Sequence, residues 1–308
     1  MLSDTMMYVL FIILPAIAVP AAIIISILWN QKLDDKFAES EYAQVTSKSR
    51  REMLADKGAR GEFALYAQAV QSLEGEMHWL FNVYVPTENG KTTEIDAILF
   101  HATGIFVIES KNYSGWIFGT ETQKKWTQCL KPSQYAKTQK FQFYNPIMQN
   151  QSHINHYRKW LGDEWKHIPI HSIILFGDGC TLKDVKLTSR THYVDKRSNF
   201  PNILNSIIYS SHHFDMQEIN QIYAKTYRLS QASEVVKTQH TMDVRTTQRT
   251  QTYVSHTAAE SSVRKATTNP EICPLCQGKL VTRVARKGPN QGKTFLGCSN
   301  FPRCRYTK

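Results

Sequence analysis

The stretch EIDAILFHATGIFVIESKNYSG, residues 94–115, decides how the chain is read. Two apolar runs, 97–100 and 105–108, flank the short turn His101-Ala102-Thr103-Gly104. Runs this short, rich in β-branched and aromatic residues and separated by a glycine-containing turn, predict strands over 93–101 and 104–112 paired as a hairpin. Pairing brings Asp96 and Glu109 near each other at one end. Period-two alternation puts Glu109 and Lys111 on one face. Two carboxylates and an ammonium then converge where the core residues stop. Two carboxylates suit a hard cation such as Mg²⁺ or Mn²⁺, and a lysine beside them can orient a water or stabilise charge building on a phosphoryl group. Taken alone, the same pattern also fits a salt bridge at a strand end, with Lys111 neutralising Asp96 or Glu109.

Working outward, 78–86 (HWLFNVYVP) is a further strand. Before it, Phe63, Tyr66, Ala67 and Val70 recur at helical spacing. After the hairpin come two short strands (GWIFGT and KKWTQCL). A helix over 145–162 is marked by Asn145-Pro146 at its start and Gly162 at its end. A buried strand over 170–180 and an amphipathic helix over 214–229 complete an α/β domain with a mixed sheet, spanning 58–230. The exit FGDGC (176–180) lacks the Gly-Lys-Ser/Thr of a phosphate-binding loop, so it does not read as a nucleotide site. His153 and Tyr157 share a helix face, but no third ligand accompanies them. Cys129 and Cys180 read as ordinary small residues.

The ends of the chain differ from this centre. Residues 6–29 carry no charge and suffice to cross a hydrocarbon core of about 30 Å, despite Pro15 and Pro20. We expect a membrane anchor over 1–30, followed by a polar, helical stalk over 31–57. Basic residues follow the span and none precedes it, which places the body in the cytoplasm as a single-pass protein. Residues 231–270, rich in Ser, Thr and Gln, are expected to be a flexible linker. The formal net charge of the 308 residues is +11, and residues 271–308 alone carry eight Lys/Arg against Glu271. Such a local basic patch points to a polyanionic partner.

Four of the six cysteines, Cys273, Cys276, Cys298 and Cys304, lie in this last segment as two close pairs. Two soft-ligand pairs on two turns make a closed tetrahedral zinc site, and a segment with so little apolar area needs that staple. This reads as a structural Zn²⁺ site over 271–308, not as a disulfide scaffold. Lys293, Arg303 and Arg305 offer phosphate contacts, and Phe301 and Tyr306 offer stacking faces. Phe295 reads as the segment's own small core. The signature Cys-Pro-x-Cys, then GKL, then GKTFLGCSNFPRC resembles the C-terminal zinc ribbon of bacterial type IA DNA topoisomerases. That resemblance implies binding to DNA, often single-stranded.

The central domain carries a second resemblance. RGE with Glu62, EIDAILFHATGIFVIESKNYSGWIFG and NPIMQNQ together resemble the nuclease-related domain family (NERD), assigned to the PD-(D/E)XK nuclease fold. The resemblance implies a restriction-endonuclease-like mixed sheet flanked by helices, with Asp96 and Glu109 as Mg²⁺ (or Mn²⁺) ligands and Lys111 as the catalytic lysine. It adds Glu62 as a further metal or positioning carboxylate and Gln149 as a polar residue lining the site. In RecB-like nucleases this helix often carries Q-x-x-x-Y; here the fourth residue after Gln149 is His153. The expectation is a membrane-held nuclease acting on DNA, in the bacterial inner membrane. The alternatives are a non-catalytic DNA-binding or scaffold protein, or a nuclease acting on RNA.

Overall fold

The computed structural model describes residues 14–130, 137–246, 273, 275–276, 278–285 and 291–308. The chain divides into two compact units, 1–240 and 241–308.

The first unit opens with helix α1 (Leu14–Ala38), followed by α2 (Glu41–Thr46), α3 (Arg50–Ala55) and α4 (Lys57–Ser72). Each short helix is started by a polar cap: Ser40 accepts from the Ala43 amide, Ser49 forms a capping box with Glu52, and Asp56 accepts from the Ala59 amide. Strands β1 (Met77–Pro86), β2 (Thr92–His101) and β3 (Gly104–Lys111) then form an antiparallel meander. Strands β7 (Ile170–Phe176) and β9 (His192–Lys196) join it in parallel, giving the order β1-β2-β3-β7-β9. The sheet is therefore mixed, as the sequence pattern requires. Gly104 makes the β2–β3 turn at φ +127°, and a Cβ there would lie 2.7 Å from the Pro169 carbonyl oxygen.

A second sheet, in the order β6-β5-β4-β8, consists of β4 (Gly115–Thr120), β5 (Lys125–Leu130), β6 (Gln139–Tyr144) and β8 (Cys180–Lys186). Strands β3 and β7 each cross directly into it, as β4 and β8, and the parallel pairing continues across the step. The Gly177 amide donates to the Lys111 carbonyl at 2.8 Å and so ties the two crossings together just where β3 ends. Trp126 stacks on Phe176 with ring planes 3° apart and seals the small core between the sheets.

Helix α5 (Pro146–Leu161) lies against β3 and β7. Asn145 fixes its start. Its side-chain oxygen accepts from the Ile147 amide, and its nitrogen donates to the Glu121 and Gln123 carbonyls at 2.8 Å. The Asn-Pro motif thus pins the helix to the β4–β5 turn, and Pro146 occupies the first turn, where no amide is needed. Helices α6 (Phe200–Ser210) and α7 (Met216–Ser230) close the main core.

Two expectations change, and the expected membrane span is described only in part. Residues 31–57 are not a separate stalk: Phe37, Tyr42, Val45 and Met53 are buried in the main core, and Glu41 accepts from the Trp79 amide at 3.0 Å. Among the described residues no helix is long and apolar enough to cross a membrane. Residues 6–13 of the expected span lie outside the described residues, and the apolar part of α1 runs at Lys32, Asp34, Asp35 and Lys36 into charge. Finally, residues 234–246 of the expected linker are helical, and His240 contacts Thr92 and the Tyr84 ring; residues 247–272 lie outside the described residues.

In the second unit, β10 (Leu280–Val284) and β11 (Thr294–Cys298) pair antiparallel. The C-terminal residues run along β11, with mutual hydrogen bonds between Leu296 and Lys308.

Candidate active site and metal centre

The β2–β3 ladder ends at Ala97↔Ile108, so Asp96 and Glu109 face each other one step beyond it. There the Ser110 amide donates to Asp96 Oδ2 at 2.7 Å instead of to a strand carbonyl. On the other side of β2, the register with β1 skips the facing pair Asn82 and Asp96. Asn82 stands at φ +51°, a left-handed conformation that asparagine tolerates better than most residues. The distortion is local and lies at the position of the carboxylate, a placement that goes with function more often than with packing.

Glu109 is 1% exposed. Lys111 Nζ lies 2.5 Å from Glu109 Oε1 and donates to Gln149 Oε1 at 3.0 Å. Burial pushes the Glu109 carboxyl up, but the Lys111 ammonium and the His153 ring outweigh it and hold the group below the usual carboxylate range. For Lys111, burial disfavours the charge, yet Glu109 and Asp96 raise the ammonium above its ordinary value. Asp96 is driven well above the usual range, first by desolvation and then by the Glu109 charge. One ammonium thus serves two desolvated carboxyl groups, and Asp96 is the one left without enough compensating charge.

The structure therefore brings Asp96, Glu109, Lys111 and Gln149 together. Glu62 stands further back on α4. It accepts from Tyr42 at 3.2 Å and from Asn82 at 3.3 Å, and burial raises its carboxyl above the usual range. Its link to Asp96 passes through the Asn82 distortion. Glu62, Asp96 and Glu109 do not share a coordination sphere: among the described residues, the cysteine group is the only cluster of at least three acidic, His or Cys ligands within 4.8 Å of one another.

Sequence reasoning set His153 aside for want of a third ligand and did not single out Asn150 or Arg197. His153, one turn after Gln149, is 7% exposed; its Nε2 lies 3.3 Å from Glu109 Oε2, and its Nδ1 lies 2.6 Å from the Thr93 hydroxyl. Asn150 donates to the Val107 carbonyl at 3.0 Å and to Ser172 Oγ at 2.9 Å, which fastens α5 across β3 and β7. Arg197 reaches Ser110 Oγ at 3.2 Å and leaves its Nε buried without a hydrogen-bond partner. The signal for His153 was its position, four residues after Gln149 and so on the same helix face. Arg197 had none, because it follows β9 far along the chain.

A divalent cation fits this donor set. Glu109 Oε2 is buried without a hydrogen-bond partner, and desolvation with the Glu109 charge pushes the Asp96 carboxyl well up, so a cation there would favour the charged form of both groups.

In the ribbon, the four sulfurs lie within 4.8 Å of one another, with Cys273–Cys304 at 3.7 Å and Cys276–Cys298 at 3.3 Å. Sulfurs at the corners of a tetrahedron with Zn–S bonds of about 2.3 Å stand roughly 3.8 Å apart, so the cluster fits zinc closely. The Asn300 amide points at Cys298 Sγ and its side chain at Cys276 Sγ, as outer-shell donors to thiolates do. Among the expected DNA contacts, Phe301 is 55% exposed, with the Arg283 guanidinium 5.5 Å from its ring centre. Lys293, Arg303 and Arg305 are exposed, whereas Tyr306 and Phe295 are half-buried.

Comparison with known proteins agrees with this division. The nuclease-related domain (NERD) family model matches residues 57–177, and that of the topoisomerase DNA-binding C4 zinc finger matches residues 270–308. An uncharacterized protein of Bacillus anthracis is 33% identical over 185 residues, which cover 60% of this chain and 82% of that protein. The chain belongs to the NERD family. DNA topoisomerase 1 of Mycoplasma genitalium is 56% identical over 54 residues, 16% of this chain and 7% of that protein. No solved structure matches the chain significantly. The NERD match ends at the β7 exit, so Glu62, Asp96, Glu109, Lys111, Gln149 and His153 lie inside it and Arg197 outside it. The four cysteines all fall within the zinc-finger match.

Proposed function

We propose that this NERD protein is a metal-dependent nuclease that hydrolyses DNA phosphodiester bonds, and that its zinc ribbon binds the DNA. The observation that carries the reading is the convergence of Asp96, Glu109 and Lys111 at the end of β3, with Gln149 holding the lysine. The antiparallel meander continuing into parallel strands, with helices against it, supports assignment to the restriction-endonuclease-like fold.

Asp96 and Glu109 would hold Mg²⁺ or Mn²⁺, an ion that keeps several waters and supplies Lewis-acid polarisation and a more acidic bound water. The Lys111 ammonium, held between Glu109 and Gln149, faces the place where charge would develop on phosphoryl oxygens and can stabilise it or orient a water. Gln149 fixes the direction of that ammonium. Glu62 acts through Asn82, which sets the strand distortion at Asp96. The ribbon raises the local concentration of DNA for the domain.

We also propose that the N-terminal segment holds the chain at a membrane, with the domain on the cytoplasmic side. Ile23, Ile24, Ile25, Ile27, Leu28 and Trp29 of α1 are all exposed, and residues 6–13 extend the uncharged stretch. Fractionation of cells making the full chain tests this; recovery in the soluble fraction would reject it.

The activity test is cleavage of single- and double-stranded DNA by the full chain with Mg²⁺ or Mn²⁺, beside Asp96→Ala and Lys111→Ala. Cleavage above both variants supports the nuclease. DNA binding with no cleavage above them would leave a non-catalytic binding protein in its place. Cleavage confined to RNA would move the substrate class.

A further inference from the structure

We propose that His153 is a metal ligand of the carboxylate site, paired with Glu109, and that this nitrogen donor gives the site a preference for Mn²⁺ over Mg²⁺. The inference rests on the metal-dependent reading above and names its inner ligands.

Two buried atoms carry it. Glu109 Oε2 and His153 Nε2 are both sealed from solvent, both lack a hydrogen-bond partner, and lie 3.3 Å apart. Neither has another use. Glu109 Oε1 is already engaged by Lys111, and His153 Nδ1 by the Thr93 hydroxyl. Buried polar atoms are nearly always satisfied, so two orphans facing each other call for a shared partner. The two atoms stand at ion-pair distance, 3.3 Å, but without an aligned N–H···O bond between them. With metal–ligand bonds of about 2.1 Å, neighbouring N and O ligands stand roughly 3.0–3.4 Å apart, which matches the pair.

The surroundings have the form expected around a ligating imidazole. Ligating histidines use their second nitrogen in an outer-shell hydrogen bond that fixes tautomer and ring direction. Thr93 provides it from β2, and the helix that carries His153 is fastened to β3 and β7 by Asn150. Among the described residues Asp96 does not form a three-residue group with Glu109 and His153 within 4.8 Å, so His153 is paired here with Glu109, and Asp96 remains the second carboxylate of the site. Imidazole suits transition ions better than Mg²⁺, which prefers oxygen and bound water. The mixed N,O pair thus favours Mn²⁺.

The test uses the full chain, free of any histidine tag and saturated with zinc so that the cysteines do not compete. Mn²⁺ is added, its affinity is measured by calorimetry, and its coordination is read by pulsed electron paramagnetic resonance. We expect ¹⁴N modulation from a directly bound imidazole. It should vanish in His153→Gln, with Mn²⁺ affinity falling at least tenfold and Mg²⁺ affinity changing little. The wild-type spectrum decides even if the variant folds poorly. Mn²⁺ bound in a Glu109-dependent way but without nitrogen modulation overturns the role of His153 and leaves a carboxylate metal site standing. Mn²⁺ binding that Glu109→Gln does not alter overturns both.

Discussion

In the ribbon, four sulfurs from two short turns stand close together around a segment with little apolar core. In the NERD domain, the charged groups come from β2, β3 and α5 and are held by a large core that exists without them. The ribbon depends on its ligands to fold. The carboxylate site sets charged groups into that core, where burial of charge is costly unless it is fully paired. One region uses metal chemistry for structure, and the other spends structure on chemistry. Removing a cysteine should therefore cost stability, whereas neutralising the uncompensated carboxylate should add to it.

The largest effect belongs to the ribbon. Structural zinc binding is worth on the order of 10 kcal/mol or more at neutral pH, far beyond what so small a core supplies. Chelation, or Cys298→Ser, should unfold residues 273–308 while the first unit keeps its thermal transition. Amide exchange of the two units reads this directly. A ribbon that stays protected after zinc removal would erase the contrast.

Next comes the buried ion pair. Lys111→Ala leaves Glu109, 1% exposed, with a desolvated charge and no ammonium. Breaking such a pair costs about 3–5 kcal/mol. Urea unfolding should show that loss, together with loss of DNA cleavage. The double substitution Glu109→Gln with Lys111→Met should recover most of the stability and none of the cleavage. If Lys111→Ala were as stable as wild type, the core would not be holding this charge pair at a cost.

The two regions also differed in how far the sequence disclosed them. Cysteine ligation is local: Cys273 and Cys276, then Cys298 and Cys304, announce their geometry through spacing alone. Asp96, Glu109 and Lys111 were visible because each interrupts or ends an apolar strand, and a charge there needs a reason. His153 was set aside because its partner, Glu109, is on another element, and a helix face does not say what it meets. The helices between Ala38 and Lys57 were misread for another reason. Their caps at Ser40, Ser49 and Asp56 turn the chain each time, so Phe37, Tyr42, Val45 and Met53 never form one apolar period. Their burial depends on tertiary packing that no window of sequence contains.

On the ribbon surface, smaller changes separate binding from folding. Phe301 is 55% exposed and contributes little to the core, so Phe301→Ala should leave zinc content and stability unchanged. Stacking of a base on an aromatic ring is worth about 1–3 kcal/mol, so affinity for single-stranded DNA should fall roughly fivefold or more. Arg303→Gln and Arg305→Gln should each reduce the salt dependence of that affinity by about one counterion. Fluorescence anisotropy across a salt series measures both. Unchanged affinity in Phe301→Ala would show that the exposed ring is not a DNA contact.

The smallest expected change is a gain. Desolvation and the Glu109 charge raise the Asp96 carboxyl well above its unfolded value, so the folded state holds that proton more tightly than the unfolded chain does. Its favourable contribution is complete below about pH 4 and is lost as pH rises through the folded-state value. Above about pH 4 the unfolded chain releases this proton more readily than the folded state, so folding is increasingly opposed as pH rises. Asp96→Asn keeps an acceptor for the Ser110 amide and removes the charge. The variant should therefore be more stable than wild type at pH 8, by about 1 kcal/mol, with the gain shrinking as pH falls toward 4. Mn²⁺ should reverse the order, because the cation stabilises the ionised wild type and has less to bind in the variant. Urea titrations at pH 4, 6 and 8, with and without Mn²⁺, test both signs. A variant less stable than wild type at pH 8 without metal would mean that Asp96 is kept for the fold, and the contrast with the cysteines would fall.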